Sequence, residues 1–486
     1  MTINTININN INSSFTSPVI TRFAPSPTGF MHMGNLRTAL FSYLFAKNHG
    51  GKFLLRIEDT DRDRSKPEYV AGLFKDFKAL GIYWEKEVVY QSQRTSIYEE
   101  FYAKLQQKNL IYRCFCSEEK LSLSRKIQLS QGLPPRYAGT CLKLSIEEVN
   151  QKLANNELAC WRFKIPKNVI VEFEDLIKGK QIFNTNDFGD FVIKRQDGSA
   201  SFMFCSVIDD VLQGVTHVLR GEDHVSNTPR QLLILQALEL FPPKYGHFSL
   251  LINGTENDPK LSKRSGSESI QDFLIQGYLP QALLNYLARL GHNFSCENQL
   301  FNLAELAMHF NLKQISSNAA KHDLVHLKFW QKQAMLIIDN QQLLEILNTD
   351  PEFNQILKNN KIIDNNKLTE FLNLIKHNIL MPKESIVWAK VLFANNLQEL
   401  DFNLDLQKYF KHIDLKFLQV LTQDLDFVNI FKKLQELGFA KKEIFINLRM
   451  ICTGKTSGPE LNKIFEIMGT ERIQKRAQQI IKFITA

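Results

Sequence analysis

Hydrophobic and polar positions near the start of the chain predict one strand, one helix and a second strand. Residues 19–23 form a β-type run, and Leu40, Phe41, Leu44 and Phe45 repeat at helical spacing within residues 35–48. A second β-type run covers residues 53–57. These three elements lie within about 40 residues, which indicates a βαβ unit and therefore a parallel sheet with a right-handed crossover.

The pattern changes along the rest of the chain. Residues 168–173 are predicted to be a strand, residues 202–219 a strand, turn and strand, and residues 229–240 a helix. From about residue 270, amphipathic helical stretches predominate, including residues 280–290 and 472–484. We therefore expect an interrupted α/β half followed by an all-helical half. Residues 1–17, rich in Asn, Ile and Thr, are predicted to be a disordered tail without a strand partner.

Composition narrows the class of protein. The chain has 486 residues, enough for about three domains, and is 44% hydrophobic and 23% charged. Its longest unbroken apolar run, residues 334–338, is far shorter than the roughly 20 residues of a membrane span. The first charged residue is Arg22, so the N-terminus lacks the basic start of a secretory signal. The net charge of +8 permits a polyanionic partner, and seven irregularly spaced cysteines predict a reducing cytoplasm.

The loop after the first strand has candidate chemistry for binding a nucleotide. It reads RFAPSPTGFMHMGN and leads into the first predicted helix, where free N–H groups favour phosphate. Its glycines match neither the Rossmann fingerprint nor a P-loop. Gly34 would let a flat base approach the backbone, and His32 could donate a hydrogen bond to phosphate. A histidine at this position is also explained by helix capping.

A basic loop, KLSKR, lies more than 200 residues further on. Lys260 and Lys263 could follow the moving charge of a pyrophosphate leaving group, because a flexible ammonium suits that task. Taken alone, two lysines three residues apart are typical of a solvated surface loop.

Together the two loops resemble the HIGH and KMSKS signatures of class I aminoacyl-tRNA synthetases. The surrounding segments are similar to those of the bacterial-type glutamyl-tRNA synthetase family: RFAPSPTGFMHMGNLRTALF, LLRIEDTDRDRS, VTHVLRGEDHVSNTPRQ, KLSKR and GYLPQALLNYLARLG, with a weaker match at LRMICTGKTSGPEL. The glutaminyl branch would show Pro-Glu-Pro-Asn where this chain has Pro-Ser-Pro-Thr at residues 25–28, which favours glutamate.

The resemblance implies an α/β Rossmann-type class I synthetase catalytic domain with an inserted acceptor-binding domain, followed by an all-α C-terminal anticodon-binding region. The expected boundaries are residues 18–98 and 204–252 for the catalytic domain and 99–203 for the insertion. Residues 253–335 would form the KMSKS loop and a helical stem-contact region, and residues 336–486 the anticodon-binding region.

The resemblance also implies an activity. ATP and Mg²⁺ would activate L-glutamate as an adenylate, and the acyl group would pass to the 3′-terminal adenosine of tRNA(Glu). Charging of tRNA(Gln) stays open, and a monomer without a membrane partner is expected. The alternatives are a short relative that glutamylates a modified tRNA base, a nucleotidyltransferase that needs no tRNA, and a catalytically silent RNA-binding relative. The roughly 200 residues after Gly291 argue against the short relative.

Site residues are carried over by position. Arg22 would bind the side-chain carboxylate of glutamate, Arg220 its α-carboxylate and Glu58 its ammonium, and the bidentate geometry of Arg with carboxylates favours Arg over Lys. The remaining predicted pocket residues are Ala24, Ser26, Phe202 and Ser206. ATP would contact His32, Gly34, Asn35, Lys260 and Lys263, with His32 and Lys263 acting in catalysis. Phe202 stands where the family usually has Tyr, so the pocket loses a hydroxyl.

The insertion contains a candidate zinc site. Cys114, Cys116 and Cys141 match a zinc knuckle that some members of the family have, and three thiolates need a fourth ligand. Some relatives supply a His at the position of Lys143, which is a poor ligand, so Tyr137 is the local substitute. If bound, the zinc would be structural. The alternative is a group of three reduced thiols in a small apolar insertion.

Overall fold

A computed structural model describes residues 4–7, 18–253, 268–294, 296, 298–360, 362, 364–394 and 403–485. The chain forms two compact units, Met1–Phe273 with Leu283–Leu324, and Leu274–Ala282 with Val325–Ala486. Nowhere in these described ranges does a helix combine the length and the apolar character needed to cross a bilayer.

The strands and helices of the described residues are numbered here in chain order. The strands are β1 (Asn4–Asn7), β2 (Ile20–Phe23), β3 (Lys52–Ile57), β4 (Val89–Tyr90), β5 (Ile111–Cys114), β6 (Cys160–Phe163), β7 (Val169–Asp175), β8 (Gly179–Asn184), β9 (Phe191–Lys194), β10 (His217–Gly221), β11 (Lys244–Phe248), β12 (Leu251–Asn253) and β13 (Ala320–His322). The helices up to the end of the first unit are α1 (Met33–Asn48), α2 (Pro67–Leu80), α3 (Thr95–Gln107), α4 (Glu118–Ser130), α5 (Ile146–Ala154), α6 (Phe202–Leu212), α7 (Thr228–Ala237), α8 (Ile270–Gln276), α9 (Pro280–Arg289) and α10 (Leu303–His309).

From residue 324 onward, the described part of the second unit contains helices and connecting segments and no strand. Its helices are α11 (Leu324–Ile337), α12 (Asn340–Asn348), α13 (Pro351–Asn359), α14 (Asn365–Ile375), α15 (Glu384–Phe393), α16 (Leu404–Lys411), α17 (Leu415–Leu421), α18 (Phe427–Glu436), α19 (Lys441–Thr453), α20 (Leu461–Met468) and α21 (Thr470–Thr485). The helices predicted over residues 280–290 and 472–484 are confirmed as α9 and α21, each with an apolar face buried in the core.

A parallel sheet forms the centre of the first unit. Strand β2 pairs with β3, β3 with β4, and β10 with β11, all in parallel. The N–H of Thr216 donates to the carbonyl of Ile20 over 2.9 Å, so β10 lies beside β2. Helix α1 connects β2 to β3 and is buried along Leu36, Leu40 and Leu44. The predicted βαβ unit is therefore confirmed.

The polypeptide between the two halves of this sheet forms a second set of strands. Strands β5, β6 and β9 make an antiparallel sheet, and β7 and β8 form a hairpin. The end of β7 returns to the central sheet, because Asp175 pairs with Tyr245 of β11. The N–H of Leu176 also donates to the carbonyl of Tyr245 over 2.9 Å, so the end of β7, within the region predicted as an insertion, lies beside β11.

Three secondary-structure predictions are wrong. Residues 202–219 contain helix α6 before strand β10, because Phe204, Val207 and Ile208 pack into one core at helical spacing and override the strand preference of the aromatic and β-branched residues. The predicted tail without a strand partner contains β1, which pairs in parallel with β7. The predicted all-helical half contains β13, which pairs with β12.

Candidate active site

Charged side chains collect where the central strands end. Arg22 lies near the C-terminal end of β2, Arg56 and Glu58 at that of β3, and Arg220 at that of β10. In open parallel sheets, ligands bind at this edge. All four side chains are at least 94% buried, so each charge needs a partner.

Asp210 of helix α6 connects two of these arginines. Its carboxylate accepts hydrogen bonds from Arg22 Nε and Nη2 over 3.0 and 3.4 Å, and from Arg56 Nη1 over 2.7 Å. The two positive charges lower the pKa of Asp210 despite its burial, so it is ionised. Arg22 therefore already makes its bidentate contact with Asp210. Of its three nitrogens, only Nη1 and Nη2 retain a hydrogen for a ligand.

Glu58 is held by the same cluster. Arg56 Nη2 donates to Glu58 Oε1 over 3.0 Å, whereas Oε2 has no partner among the described residues. Burial raises the pKa of Glu58, and the charges of Arg56 and Arg22 oppose that shift. A bound ammonium would stabilise the charged form in the same way that these arginines do.

Arg220 is held differently. Its Nε donates to His247 Nε2 over 3.1 Å, and its Nη2 donates to Thr228 Oγ1 over 2.9 Å and to Gln231 Oε1 over 2.7 Å. No hydrogen bond within the described part of the chain engages Nη1. Burial lowers the pKa of Arg220 to about 10, which leaves it protonated at neutral pH.

Two predicted pocket residues lie next to Arg220. The Ser206 hydroxyl donates to the carbonyl of Phe202 over 2.6 Å and accepts from Gln231 Nε2 over 2.8 Å. The hydroxyl of Ser206 therefore orients Gln231, which in turn accepts from Arg220. The Phe202 ring is half-buried and lies 5.2 Å from the ring of His224.

The proline-rich loop is tied to the same edge of the sheet. The N–H of Glu58 donates to the carbonyl of Pro25 over 3.0 Å, which places Ala24 and Ser26 on either side of that contact. Ala24 is half-buried and the Ser26 side chain is exposed. Both residues thus flank the buried charge cluster.

His32 caps helix α1. Its Nδ1 accepts from the N–H groups of Gly34 and Asn35 over 3.1 and 3.4 Å. A neutral imidazole that accepts at Nδ1 has its hydrogen on Nε2. A Cβ on Gly34 would lie 3.1 Å from the His32 ring, which explains a glycine there.

Lys260 and Lys263 lie outside the described residues. The chain is described again from residue 268, and Ser269 forms an isolated antiparallel bridge with His32. The N–H of Ile270 also donates to the carbonyl of Met31 over 2.8 Å.

The predicted metal ligands lie together. The sulfurs of Cys114, Cys116 and Cys141 are within 4.8 Å of one another, and the Tyr137 hydroxyl oxygen lies 3.3 Å from Cys114 Sγ and 3.7 Å from Cys116 Sγ. Cys116 and Cys141 sulfurs are 3.6 Å apart. A tetrahedral zinc site with three sulfurs and one oxygen has S–S edges of about 3.8 Å and S–O edges of about 3.5 Å. The three distances between individual atoms lie within a few tenths of an ångström of these edges, whereas Lys143 is exposed.

Several residues of these clusters were not predicted from the sequence. Arg56 precedes Glu58 by two positions, and the alternation of a strand places both on one face, so this pair could have been found. Asp210 sits in an apolar helix, where a charged residue signals a buried partner. Gln231 and His247 gave no local signal.

Cys160 pairs in register with Cys114, but it lies 19 residues beyond Cys141 and matches no metal-ligand spacing.

Comparison with known proteins assigns the family. A model described as "tRNA synthetases class I (E and Q), catalytic domain" matches residues 18–329. The chain belongs to this family of class I synthetases.

Within that family, the chain is similar to glutamate–tRNA ligases over nearly its whole length. It is 44% identical to glutamate–tRNA ligase 2 of Coxiella burnetii, covering 94% of this chain and 98% of the relative. It is 42% identical to glutamate–tRNA ligase 2 of Nitrosococcus oceani, covering 95% and 98%. The fold matches the crystal structure of a glutamate tRNA ligase from Elizabethkingia meningosepticum in complex with its amino acid, with a TM-score of 0.84, 27% identity and coverage of 96% and 99%.

The buried cluster leads to a stability prediction. Asp210→Asn leaves Arg22 and Arg56 without their shared counter-charge, and breaking a buried pair in this way costs about 3–5 kcal/mol of unfolding free energy. Asp61→Asn is the matched control, because Asp61 pairs with an Arg64 side chain that is 70% exposed. The control should lose less than about 1 kcal/mol. Thermal and urea unfolding of both variants measure the difference, and equal losses would contradict the role given to Asp210.

Proposed function

We propose that this chain activates L-glutamate with ATP and transfers it to the 3′-terminal adenosine of tRNA(Glu). The observation that supports this most strongly is the charge of the buried cluster. Arg22 and Arg220 each keep hydrogens for a ligand, and Glu58 keeps one carboxylate oxygen. Glutamate carries two carboxylates and one ammonium at neutral pH, so its charged groups match these two cations and one anion.

The donors and acceptors that are left over match the charged groups of glutamate in number and sign, and we assign each of them by the family resemblance. The remaining hydrogens of Arg22 would bind the side-chain carboxylate, Arg220 Nη1 the α-carboxylate and Glu58 Oε2 the ammonium. Glutamine has no side-chain charge, so it would lose the charge-assisted hydrogen bonds that a side-chain carboxylate makes with the remaining hydrogens of Arg22. We therefore propose that the pocket discriminates against glutamine through these bonds, because charge-assisted hydrogen bonds are stronger than neutral ones.

The first step is formation of the adenylate. An oxygen of the glutamate α-carboxylate attacks the α-phosphorus of Mg²⁺-bound ATP, the bond to the bridging oxygen breaks, and pyrophosphate leaves. His32 Nε2 would donate to the phosphates, while Gly34 and Asn35 begin the helix whose N-terminus favours negative charge. Lys263, and secondarily Lys260, would stabilise the charge that moves onto pyrophosphate.

His32 provides a test of this step. His32→Asn keeps an acceptor for the helix N–H groups but removes the Nε2 donor, so stability should stay near that of the wild type. Glutamate-dependent ATP–pyrophosphate exchange should fall by about a hundredfold to a thousandfold, the scale of one lost electrostatic donor. His32→Ala should lose the cap as well, at about 1 kcal/mol. Wild-type exchange by His32→Asn would mean that His32 is only a cap.

The second step transfers the acyl group. A ribose hydroxyl of the terminal adenosine attacks the acyl carbon and AMP leaves. We propose that residues 99–203 contact the acceptor stem and residues 336–486 the anticodon. We also propose a cytoplasmic location, supported by seven cysteines that are all free thiols. A monomer remains an expectation, which light scattering can check.

Charging assays with purified tRNA test the function itself. We expect glutamylation of tRNA(Glu) that requires ATP and Mg²⁺, and none with glutamine as the amino acid. Parallel assays with tRNA(Gln) decide whether that tRNA is also or instead charged. The absence of glutamate-dependent exchange in the presence of either tRNA would refute the assignment and favour an RNA-binding relative without catalysis.

We further propose that Cys114, Cys116, Cys141 and Tyr137 hold one structural Zn²⁺. Three edges of their sulfur–oxygen tetrahedron lie within a few tenths of an ångström of those of a zinc site, and the three sulfurs all lie within 4.8 Å of one another. The metal would fix the antiparallel sheet of the insertion in shape. Four protein ligands leave no position for a catalytic water.

Metal analysis of protein prepared without chelator tests this site. We expect about one zinc per chain in the wild type and a large loss of zinc in Cys116→Ser. Tyr137→Phe removes only the hydroxyl and should weaken retention, because the site loses its oxygen ligand. Cys452→Ser, a buried thiol of the second unit, is the control and should retain zinc. Wild-type protein without zinc would rule the site out.

A further inference from the structure

Three buried side chains form a line across adjacent strands of the central sheet. Asp175 ends β7, His247 lies in β11 and Arg220 in β10. Arg220 and His247 are register partners of a parallel pair, so their side chains lie on the same face. The side chains of His247 and Asp175 are fully buried, and Arg220 is 6% exposed.

The hydrogen bonds of this line determine which nitrogen of His247 is protonated. His247 Nδ1 lies 2.5 Å from a carboxylate oxygen of Asp175, so Nδ1 has the hydrogen and donates it. His247 Nε2 accepts from Arg220 Nε over 3.1 Å and is 3.3 Å from the Thr228 hydroxyl. Burial lowers the pKa of His247, the hydrogen bond to Asp175 opposes this shift, and the charge of Arg220 adds to it. The net shift is downward, and a ring that accepts at Nε2 while it donates at Nδ1 is neutral.

A neutral partner has a specific consequence for Arg220. Within the described residues, the hydrogen-bond partners of Arg220 are all uncharged groups, contributed by His247, Thr228, Gln231 and the His224 carbonyl. Arg22, by contrast, is paired directly with Asp210. The positive charge of Arg220 is therefore fixed in orientation without being neutralised by a contacting carboxylate.

We propose that Asp175 and His247 are positioning residues that direct Arg220 Nη1 toward the α-carboxylate of the amino-acid substrate. This inference rests on the proposed role of Arg220 in binding glutamate. Asp175 selects the tautomer, His247 presents a lone pair to Nε, and the far side of the guanidinium faces the ligand with its charge available.

Asp175→Asn tests the tautomer directly. The amide keeps an oxygen for the backbone N–H groups of Ile177 and Lys178, which now donate to Asp175 Oδ1 over 3.0 and 2.8 Å. The NH₂ group of the amide faces His247 Nδ1 and forces the imidazole hydrogen onto Nε2. This Nε2–H then points at the Nε–H of Arg220, and the two donors repel each other. The KM for glutamate should rise by about tenfold to a hundredfold, the range for one lost hydrogen bond to a charged group. The KM for ATP and kcat at saturating glutamate should change little.

Rescue separates this tautomer effect from a purely structural one. A Gln at position 247 can turn its amide oxygen toward Arg220 whether Asp or Asn occupies position 175. The double variant Asp175→Asn with His247→Gln should therefore bind glutamate better than Asp175→Asn alone. His247→Asn keeps the donor to Asp175 but lacks the acceptor for Arg220, and it should show the raised KM.

The measurements are glutamate titration by calorimetry and glutamate-dependent ATP–pyrophosphate exchange, both with tRNA present. An unchanged KM for glutamate in His247→Asn, or a double variant weaker than Asp175→Asn, would overturn the positioning role. Equal losses for glutamate and ATP would also overturn it. Wild-type protein that binds glutamate but catalyses no ATP–pyrophosphate exchange would refute the proposed activity. The glutamate affinities of the wild type and the variants, compared by calorimetry, would still decide the role of Asp175 and His247.

Discussion

The carboxylate of Asp210 pairs with two arginines from adjacent strands inside a buried region of the protein. Without it, Arg22 would lose its charged partner and Arg56 would keep only Glu58, and an unpaired buried charge costs several kcal/mol. Helix α6 must therefore lie across the ends of β2 and β3, and this contact also sets the orientation of Glu58 through Arg56. The arrangement of one helix against two strands thus determines both the packing and the charge of the site.

The two arginines nearest the proposed ligand are supported in opposite ways. Arg22 is bound by an anion, which offsets part of the attraction of its charge for a ligand. Arg220 is bound by neutral groups, so the attraction of its charge is nearly undiminished. In a region of low dielectric this difference matters, because the uncompensated charge dominates the attraction for a carboxylate. The pocket therefore has a strong and a weak carboxylate site, with an anionic acceptor for an ammonium at Glu58.

The sequence predicted the elements whose signals are local. The βαβ unit follows from apolar spacing, and helices α9 and α21 from amphipathic faces. Of the strand, turn and strand predicted over residues 202–219, the first strand is wrong, because tertiary packing of Phe204 and Ile208 makes this segment a helix. Arg22, Glu58 and Arg220 were assigned through resemblance and lie at one edge of the sheet. The contacts of Asp210 with Arg22 and of His247 with Arg220 form only when the chain folds. Residues 188 and 27 positions apart in the chain have no common pattern from which such contacts could be read.

A crystal structure of the protein with L-glutamate bound would show how the pocket holds its substrate. We expect the side-chain carboxylate to lie within hydrogen-bond distance, about 2.7–3.2 Å, of Arg22. We also expect the α-carboxylate at Arg220 Nη1 and the ammonium at Glu58 Oε2, with Asp210 still bridging Arg22 and Arg56. A glutamate whose carboxylates are exchanged between the two arginines, or whose ammonium lies away from Glu58, would contradict this arrangement.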